Sequence, residues 1–321
     1  MNRLLALLLC AAAAALARPF PALAQPYPSK PVRIIVPFAP GGPTDIVARL
    51  LSQKLSESLG QQMVIESRAG AGGNVGTAVV AKSPPDGYTV LITSSAFAVN
   101  VSLSPNAGYE PGDFVPVANL AKQANMIFAH PELPARTLGE LLALARGGRM
   151  AYASPGSGTT PHLTAENLFN VTAKLDVTAI HFKGAGQMVI AVLGGEPRVG
   201  VGAISGPLAQ IKAGKLRGIA VSSAARIAAL PDVPTFAEAG FPGVEDYTWI
   251  GMLVPAGTPP AVVQRLNEAT NRALRTPELR ERLEAVAFEP VGGSPQQFAD
   301  YLKVEIPKWG RVVRAGNIKA E

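Results

Sequence analysis

The sequence predicts an α/β protein of two units, each built on a mostly parallel sheet covered on both faces. Three observations predict it. Short β-branched runs alternate with helical runs along most of the chain. Two strands run into glycine-rich corners that open helices, Pro37-Phe38-Ala39-Pro40-Gly41-Gly42-Pro43-Thr44-Asp45 and Ser154-Pro155-Gly156-Ser157-Gly158-Thr159-Thr160. The length, once an apolar leader is set aside, suits two domains of ordinary size.

The leader comes first in the chain. Arg3 gives a positive start, Leu4 to Ala17 is almost wholly apolar, and Ala22-Leu23-Ala24 offers the small residues of a signal-peptidase site. Residues 1–24 therefore read as a secretory signal peptide. The run is short for a membrane span, and no later segment approaches ~18 uninterrupted apolar residues. An exported, soluble protein is expected. The single cysteine, Cys10, lies in this leader, behind a Leu9 that does not suit lipidation. The expected mature chain has no disulfide, thiolate nucleophile or cysteine metal site.

In the first unit, Val32 to Val36 is a strand. Ile46, Val47, Leu50, Leu51, Leu55 and Leu59 then recur at helical spacing. Met63 to Glu66 is a strand, and Gly70-Ala71-Gly72-Gly73-Asn74 leads into a helix ending near Lys82. Pro84-Pro85-Asp86-Gly87 is a turn before the strand Tyr88 to Ile92. This βαβαβ order implies parallel pairing. The second unit starts after Leu120. Met126 to Ala129 is a strand, and Thr137 with Glu140 caps a helix to Arg146. Met150 to Ala153 is a strand, Pro161 opens a helix to about Phe169, and Val177 to Phe182 is a strand. A helix Gln187 to Leu193, a strand Val199 to Ile204, a helix Pro207 to Ala213 and a strand Leu216 to Ser222 follow. Leu230 to Pro242 is rich in proline and turn residues. Tyr247 to Val254 is a last strand, containing Trp249. Helices at Pro259 to Leu274, Pro277 to Val286 and Ser294 to about Arg314 end the chain, with a kink expected at Pro307. This tail has no βαβ series of its own, so it should return to pack on the first unit.

The charge excludes some functions. Lysine and arginine exceed aspartate and glutamate by 6, and loss of Arg3 and Arg18 with the leader leaves about +4. The excess is scattered, with no basic stripe interleaved with aromatics, so nucleic acid is not expected as a partner. No Gly-x-Ser-x-Gly occurs, and Gly70-x-Gly72-x-x-Val75 misses the dinucleotide fingerprint at its last glycine. His130, His162 and His181 are the only histidines, and none pairs at metal-ligand spacing. Neither catalysis, a cofactor nor a metal is expected.

The two glycine corners carry the candidate site. A strand, a tight loop and a helix N-terminus aim unpaired backbone N–H groups and a positive dipole end at one spot, which suits an anion. The first corner lacks the lysine of a P-loop. Two such corners, one per unit, could close on one solute. Ser157, Thr159 and Thr160 add hydroxyls, as do Thr93 and Ser94 at one strand end and Ser205 at another. Asp45 sits in a first helical turn, where complementing the dipole is its expected role. His162, near the start of the second corner's helix, is the histidine best placed to face a ligand.

Taken in order, these pieces resemble the substrate-binding proteins of tripartite tricarboxylate transporters, the Bug family. The matching stretches are Tyr27-Pro28-x-Lys30-Pro31 with Pro37 to Asp45, Gly70 to Asn74, and Ser83-Pro84-Pro85-Asp86-Gly87-Tyr88-Thr89. Ser154 to Thr159, Ile211-Lys212-Ala213-Gly214-Lys215-Leu216-Arg217, Leu230-Pro231-Asp232-Val233-Pro234-Thr235 and Pro255-Ala256-Gly257-Thr258-Pro259-Pro260 complete the set. The resemblance implies a periplasmic binding protein-like fold, two α/β domains with a hinge of crossing strands and a ligand cleft between them. Domain 1 would comprise residues 25–124 and 245–321, and domain 2 residues 125–244. It implies a periplasmic receptor, expected as a monomer, that holds a small organic acid and delivers it to membrane transporter subunits. A sensor presenting the same solute to a signalling receptor is the alternative. By motif match the ligand-binding residues are Phe38, Ala39, Gly41, Gly42, Thr44, Asp45, Ser154, Pro155, Gly158 and Thr159. Thr93, Ser94, His162, Lys183, Gly184 and Ser205 join them at the cleft. The chain departs from the family at Val201-Gly202-Ala203-Ile204-Ser205-Gly206 and His181-Phe182-Lys183-Gly184-Ala185-Gly186. The small residues there imply a roomier, less acidic pocket, which argues against an amino acid such as aspartate as ligand.

Overall fold

The computed structural model describes residues 27–104 and 106–319. The expected signal peptide lies outside these residues. The first elements are β1 (Val32–Val36), α1 (Pro43–Leu59), β2 (Met63–Ser67), α2 (Asn74–Ala81), β3 (Thr89–Ser94) and α3 (Ala96–Leu103). Next come β4 (Phe114–Ala129), α4 (Leu138–Gly147), β5 (Met150–Ser154) and α5 (Thr160–Glu166), which continues as a π-helical stretch, Asn167–Thr172. They are followed by β6 (Val177–His181), α6 (Ala185–Leu193), β7 (Val199–Ala203), α7 (Leu208–Lys212) and β8 (Arg217–Val221). The chain closes with β9 (Tyr247–Pro255), α8 (Pro260–Leu274), α9 (Pro277–Ala285), β10 (Glu289–Gly292) and α10 (Pro295–Ala315).

The strands form one ten-stranded sheet in the order β2-β1-β3-β9-β4-β7-β5-β6, with β8 and β10 also paired to β4. Pairing is parallel where βαβ units were expected, at β1 with β2 and β3, and at β5 with β6 and β7. The sheet is nevertheless mixed. β9 runs antiparallel to β3 and β4, and β4 antiparallel to β7 and β8. The reason is β4, which is 16 residues long and begins at Phe114 rather than Met126. It pairs with β9 as far as Ala124 and with β7 from Asn125 onward. One strand thus serves both ends of the sheet.

Apolar clusters cover both faces at each end. Val32, Ile34, Leu51, Leu55 and Leu266 form one cluster, and Ile35, Leu91, Phe97, Trp249 and Trp309 another. At the other end Tyr152, Phe169 and Phe236 share one cluster, and Phe128, Met188 and Ile204 a second. The C-terminal tail returns as expected, with Trp309 and Val313 of α10 buried beside Phe97 of α3. The helix runs on through Pro307. Two elements went unpredicted, α3 and the short edge strand β10. Among the described residues, no helix is long and apolar enough to cross a membrane.

Candidate functional site

The first corner follows β1. Gly41 has φ 82°, which favours glycine, and its N–H donates to Asp45 Oδ2 at 2.9 Å. Gly42 caps α1 without a side chain, and Pro43 has no N–H to satisfy. The Thr44 and Asp45 N–H groups open the helix with no carbonyl one turn back to receive them. Asp45 is 3% exposed, and Arg49 Nε donates to the same Oδ2 at 2.8 Å. Its other oxygen, Oδ1, is buried without a partner among the described residues. Asp45 therefore both braces the loop and holds a spare acceptor at the helix start. Phe38 is half-buried and lies over Gly73, where a Cβ would sit 3.0 Å from the ring edge. Ala39 is exposed at the loop tip.

The second corner follows β5. Ser154 is buried, with its Oγ 3.3 Å from the Gly156 N–H, and its carbonyl accepts from Phe182. The Pro155 carbonyl accepts from Gly184, and the Thr159 hydroxyl donates to the Gly156 carbonyl at 2.8 Å. His162 is 3% exposed and packs edge-on to His181, ring centres 4.5 Å apart. Its Nδ1 accepts the Gly158 N–H at 3.2 Å. Burial, then the neighbouring His181, pushes its pKa down to about 3. A neutral imidazole is what that hydrogen bond requires, since Nδ1 must offer a lone pair. His162 thus sits beneath the loop, and the Gly158 N–H is already taken. Lys183 is exposed, its N–H held by the Gln187 side chain at 3.2 Å.

The second corner meets the end of β3 and helix α3 through Thr160, which the sequence had offered as a hydroxyl donor, and through Ser95 and Asn100, which it had not. Ser95, fully buried after β3, hydrogen-bonds Thr160 of α5 hydroxyl to hydroxyl. Thr93 is buried in the strand, and Ser94 Oγ accepts the Ala96 N–H at 3.3 Å. Asn100 of α3 donates to the Gly72 carbonyl at 3.0 Å. The same side chain faces Gly158, where an added Cβ would lie 2.7 Å from Oδ1. Leu163 of α5 is buried in the cluster of Phe97 and Trp249. Asn100 was out of reach because its helix was not foreseen.

Ser205 follows β7. Its N–H donates to Gln123 Oε1 at 3.0 Å, and its Oγ is buried without a partner among the described residues. Small residues nearby do not simply widen a pocket. A Cβ on Gly202 would lie 2.6 Å from Met188 Cε, and one on Gly200 2.3 Å from the Phe128 ring. Those glycines make room for core side chains instead.

Three comparisons place this geometry. The family described as tripartite tricarboxylate transporter family receptor matches residues 47–318. The chain belongs to that family. BugT of Bordetella pertussis is 38% identical over 325 residues, spanning 99% of both chains. An R. palustris protein solved with adipate, Rpa4515, is 34% identical with a TM-score of 0.87, over 91% of this chain and 99% of its own. MatC of Rhodopseudomonas palustris, solved with bound malate, is 32% identical with a TM-score of 0.83, over 89% of this chain and all of its own.

In this family receptor a buried polar network stands where β4 changes partner. Asn125 Nδ2 donates to Asp246 Oδ1 at 2.8 Å and to Thr164 Oγ1 at 3.0 Å. The Thr164 hydroxyl reaches Asp246 Oδ2 at 2.8 Å, Ser222 donates to the Asp246 carbonyl at 2.7 Å, and Thr248 donates to Asn125 Oδ1 at 2.7 Å. Burial raises Asp246 to about 6, opposed by the Lys308 charge and these hydrogen bonds. The network ties α5, which carries the second corner, to β4 and to the entry of β9. A separate groove of about 460 Å³ lies away from both corners, between α8, α9 and β10. Among the described residues, no group of three or more His, Cys, Asp or Glu could hold a metal.

Proposed function

We propose that the chain is a periplasmic receptor that closes around a small carboxylate-bearing solute and delivers it to membrane subunits of a tripartite transporter. The carrying observation is the pair of strand–loop–helix corners at strand carboxyl ends, the second held to the end of β3 by the Ser95–Thr160 contact, in a chain of this family. The uncapped first turn of α1 supplies N–H donors and a positive dipole end to a carboxylate. Thr44 and Ser157, whose Oγ is without a partner among the described residues, complete the donor set. The adipate and malate held by two relatives are acids of the class such a site favours.

The units divide where β4 changes partner, as residues 25–124 with 245–321 and residues 125–244. The ligand residues are those of the two corners, with Ser94 and Ser205 at neighbouring strand ends. His162 acts from beneath by shaping the Gly158 turn. The test is mass spectrometry of ligand released from the protein after incubation with pooled organic acids. Recovery of one acid, chemically unchanged and in stoichiometric amount, supports the receptor. Recovery of a converted product, or of a non-acidic solute, contradicts it.

A further inference from the structure

The groove between α8, α9 and β10 serves neither corner, and its walls are fixed. Asn267 Nδ2 donates to the Val117 carbonyl of β4 at 2.7 Å and to the Gly293 carbonyl at 2.8 Å. Asn271 Oδ1 accepts the Gly293 N–H at 2.8 Å, and its Nδ2 donates to the Gly293 carbonyl at 2.9 Å. These bonds pin the turn after β10 to α8. An occupant therefore meets a formed surface, and little ordering opposes it.

The groove is basic. Arg272, Arg275 and Arg280 line it against one carboxylate, Glu268. Glu268 accepts from Gln264 Nε2 at 2.9 Å, and Arg280 has a 3.9 Å contact with Glu284. Arg272 and Arg275 are exposed and have no side-chain hydrogen bond or ion pair among the described residues. Standing at i and i+3 at the end of α8, they share one helix face with Cβ atoms about 5–6 Å apart. Alternate side chains of an extended chain recur every ~6.6 Å, close to that spacing. A guanidinium grips a carboxylate with two parallel N–H bonds, so the pair suits acidic side chains at alternate positions.

The other wall includes a strand edge. β10 pairs with β4 alone among the described residues, and Val291 is 45% exposed. Such an edge accepts a further extended segment, and Val291 offers apolar contact to a residue between two acids. Pro290 has no N–H for a ladder, which leaves recognition mainly to the arginines. The groove holds about 460 Å³ beside a strand of four residues, about 13 Å of extended chain, more than a lone carboxylate fills.

We propose that this groove docks an extended acidic segment of a partner protein, with carboxylates at alternate positions on Arg272 and Arg275. The owner of the segment rests on the receptor reading above, which makes it a membrane subunit of the transporter; the chemistry of the groove does not.

The test is calorimetric titration of the protein at low ionic strength with three blocked pentapeptides, Glu-Val-Glu-Val-Glu, its permutation Glu-Glu-Glu-Val-Val and the neutral Gln-Val-Gln-Val-Gln. The alternating acidic peptide should bind about tenfold tighter than either control, a modest gap because exposed ion pairs are individually weak. Arg272→Gln with Arg275→Gln should abolish that gap. Lys212→Gln with Lys215→Gln, the same charge change at exposed residues elsewhere, should keep it within about twofold. Equal affinity for the three peptides overturns the docking groove. So does an equal loss in both double variants, which marks a general charge effect. Phosphatidylglycerol vesicles that bind the wild type and not the arginine variant, with no peptide bound, assign the surface to a membrane and overturn the proposal as well. Should the arginine variant misfold, wild-type discrimination between the alternating and permuted peptides decides. A thermal shift with organic acids on the same preparations reads the receptor function separately, so either reading can fail without the other.

Discussion

Gly158 has no side chain because residues beyond the cleft occupy the space. Its φ is 73°, and a Cβ would lie 2.7 Å from Asn100 Oδ1 and 2.9 Å from Leu103 Cδ2. Gly60 provides a matched control, with φ 71° and nothing within 4 Å of its Cβ position. Alanine at Gly60 should lower stability by about 1–2 kcal/mol, the penalty of a left-handed backbone, and alanine at Gly158 by more, since its Cβ also meets Asn100 and Leu103. Only Gly158→Ala should also weaken ligand binding, by about tenfold or more, because its Cβ would push the second corner off Asn100 and Leu103 of α3. Calorimetry on both variants checks this, and equal affinities would show that Gly158 does not govern closure. Gly41→Val is the counterpart at the first corner. Its Cβ direction is open, so the fold should survive with about 1–2 kcal/mol of strain, while branched methyls at the loop obstruct the approach of a carboxylate. Unchanged affinity would refute a role for that loop. The corner glycines were legible in the sequence because a tight strand-to-helix turn asks for them locally. Asn100 and Gln123 were not, since their roles arise from contacts with Gly158 and Ser205, far away in the chain.

Glu305 shows what the returning helix α10 contributes. Its Oε2 accepts from Trp249 Nε1 at 3.1 Å and from Trp309 Nε1 at 2.9 Å, all three residues being buried. Glu305→Ala strands two indole donors in a dry core, and should destabilise by about 2–4 kcal/mol in a denaturant melt. A change below about 0.5 kcal/mol would mean that water satisfies both. The βαβ elements were readable from periodicity. The first three-quarters of β4 was not, because Pro116 breaks the pattern and the register shifts between Pro116 and Ala118 and between Asn119 and Ala121. β10 is only four residues long and leaves no periodic signal.

His162 and Asp246 give the whole molecule an acid response with opposing parts. An imidazole lowered from 6.5 to about 3 gains a proton on unfolding, so its contribution to stability is lost as pH falls through that window. A carboxyl raised from 3.8 to about 6 is protonated first in the folded chain, so its contribution is lost as pH rises through that window. Between about pH 4 and 6 the two offset each other, each near 1.4 kcal/mol per pH unit. Asp246→Asn should therefore steepen the acid loss of stability in this range toward that slope. Melts at stepped pH check it, and an unaltered slope would mean that Asp246 stays ionised in the folded protein. A thermal melt of the protein against a panel of mono-, di- and tricarboxylates tests most directly whether the two corners hold an acid. At a hundred times its dissociation constant a true ligand stabilises by about 2.7 kcal/mol, which for a chain of this size raises Tm by about 4 °C. At least one acid should do so, with no effect in Gly41→Val. A panel in which no acid moves the melt would contradict the account.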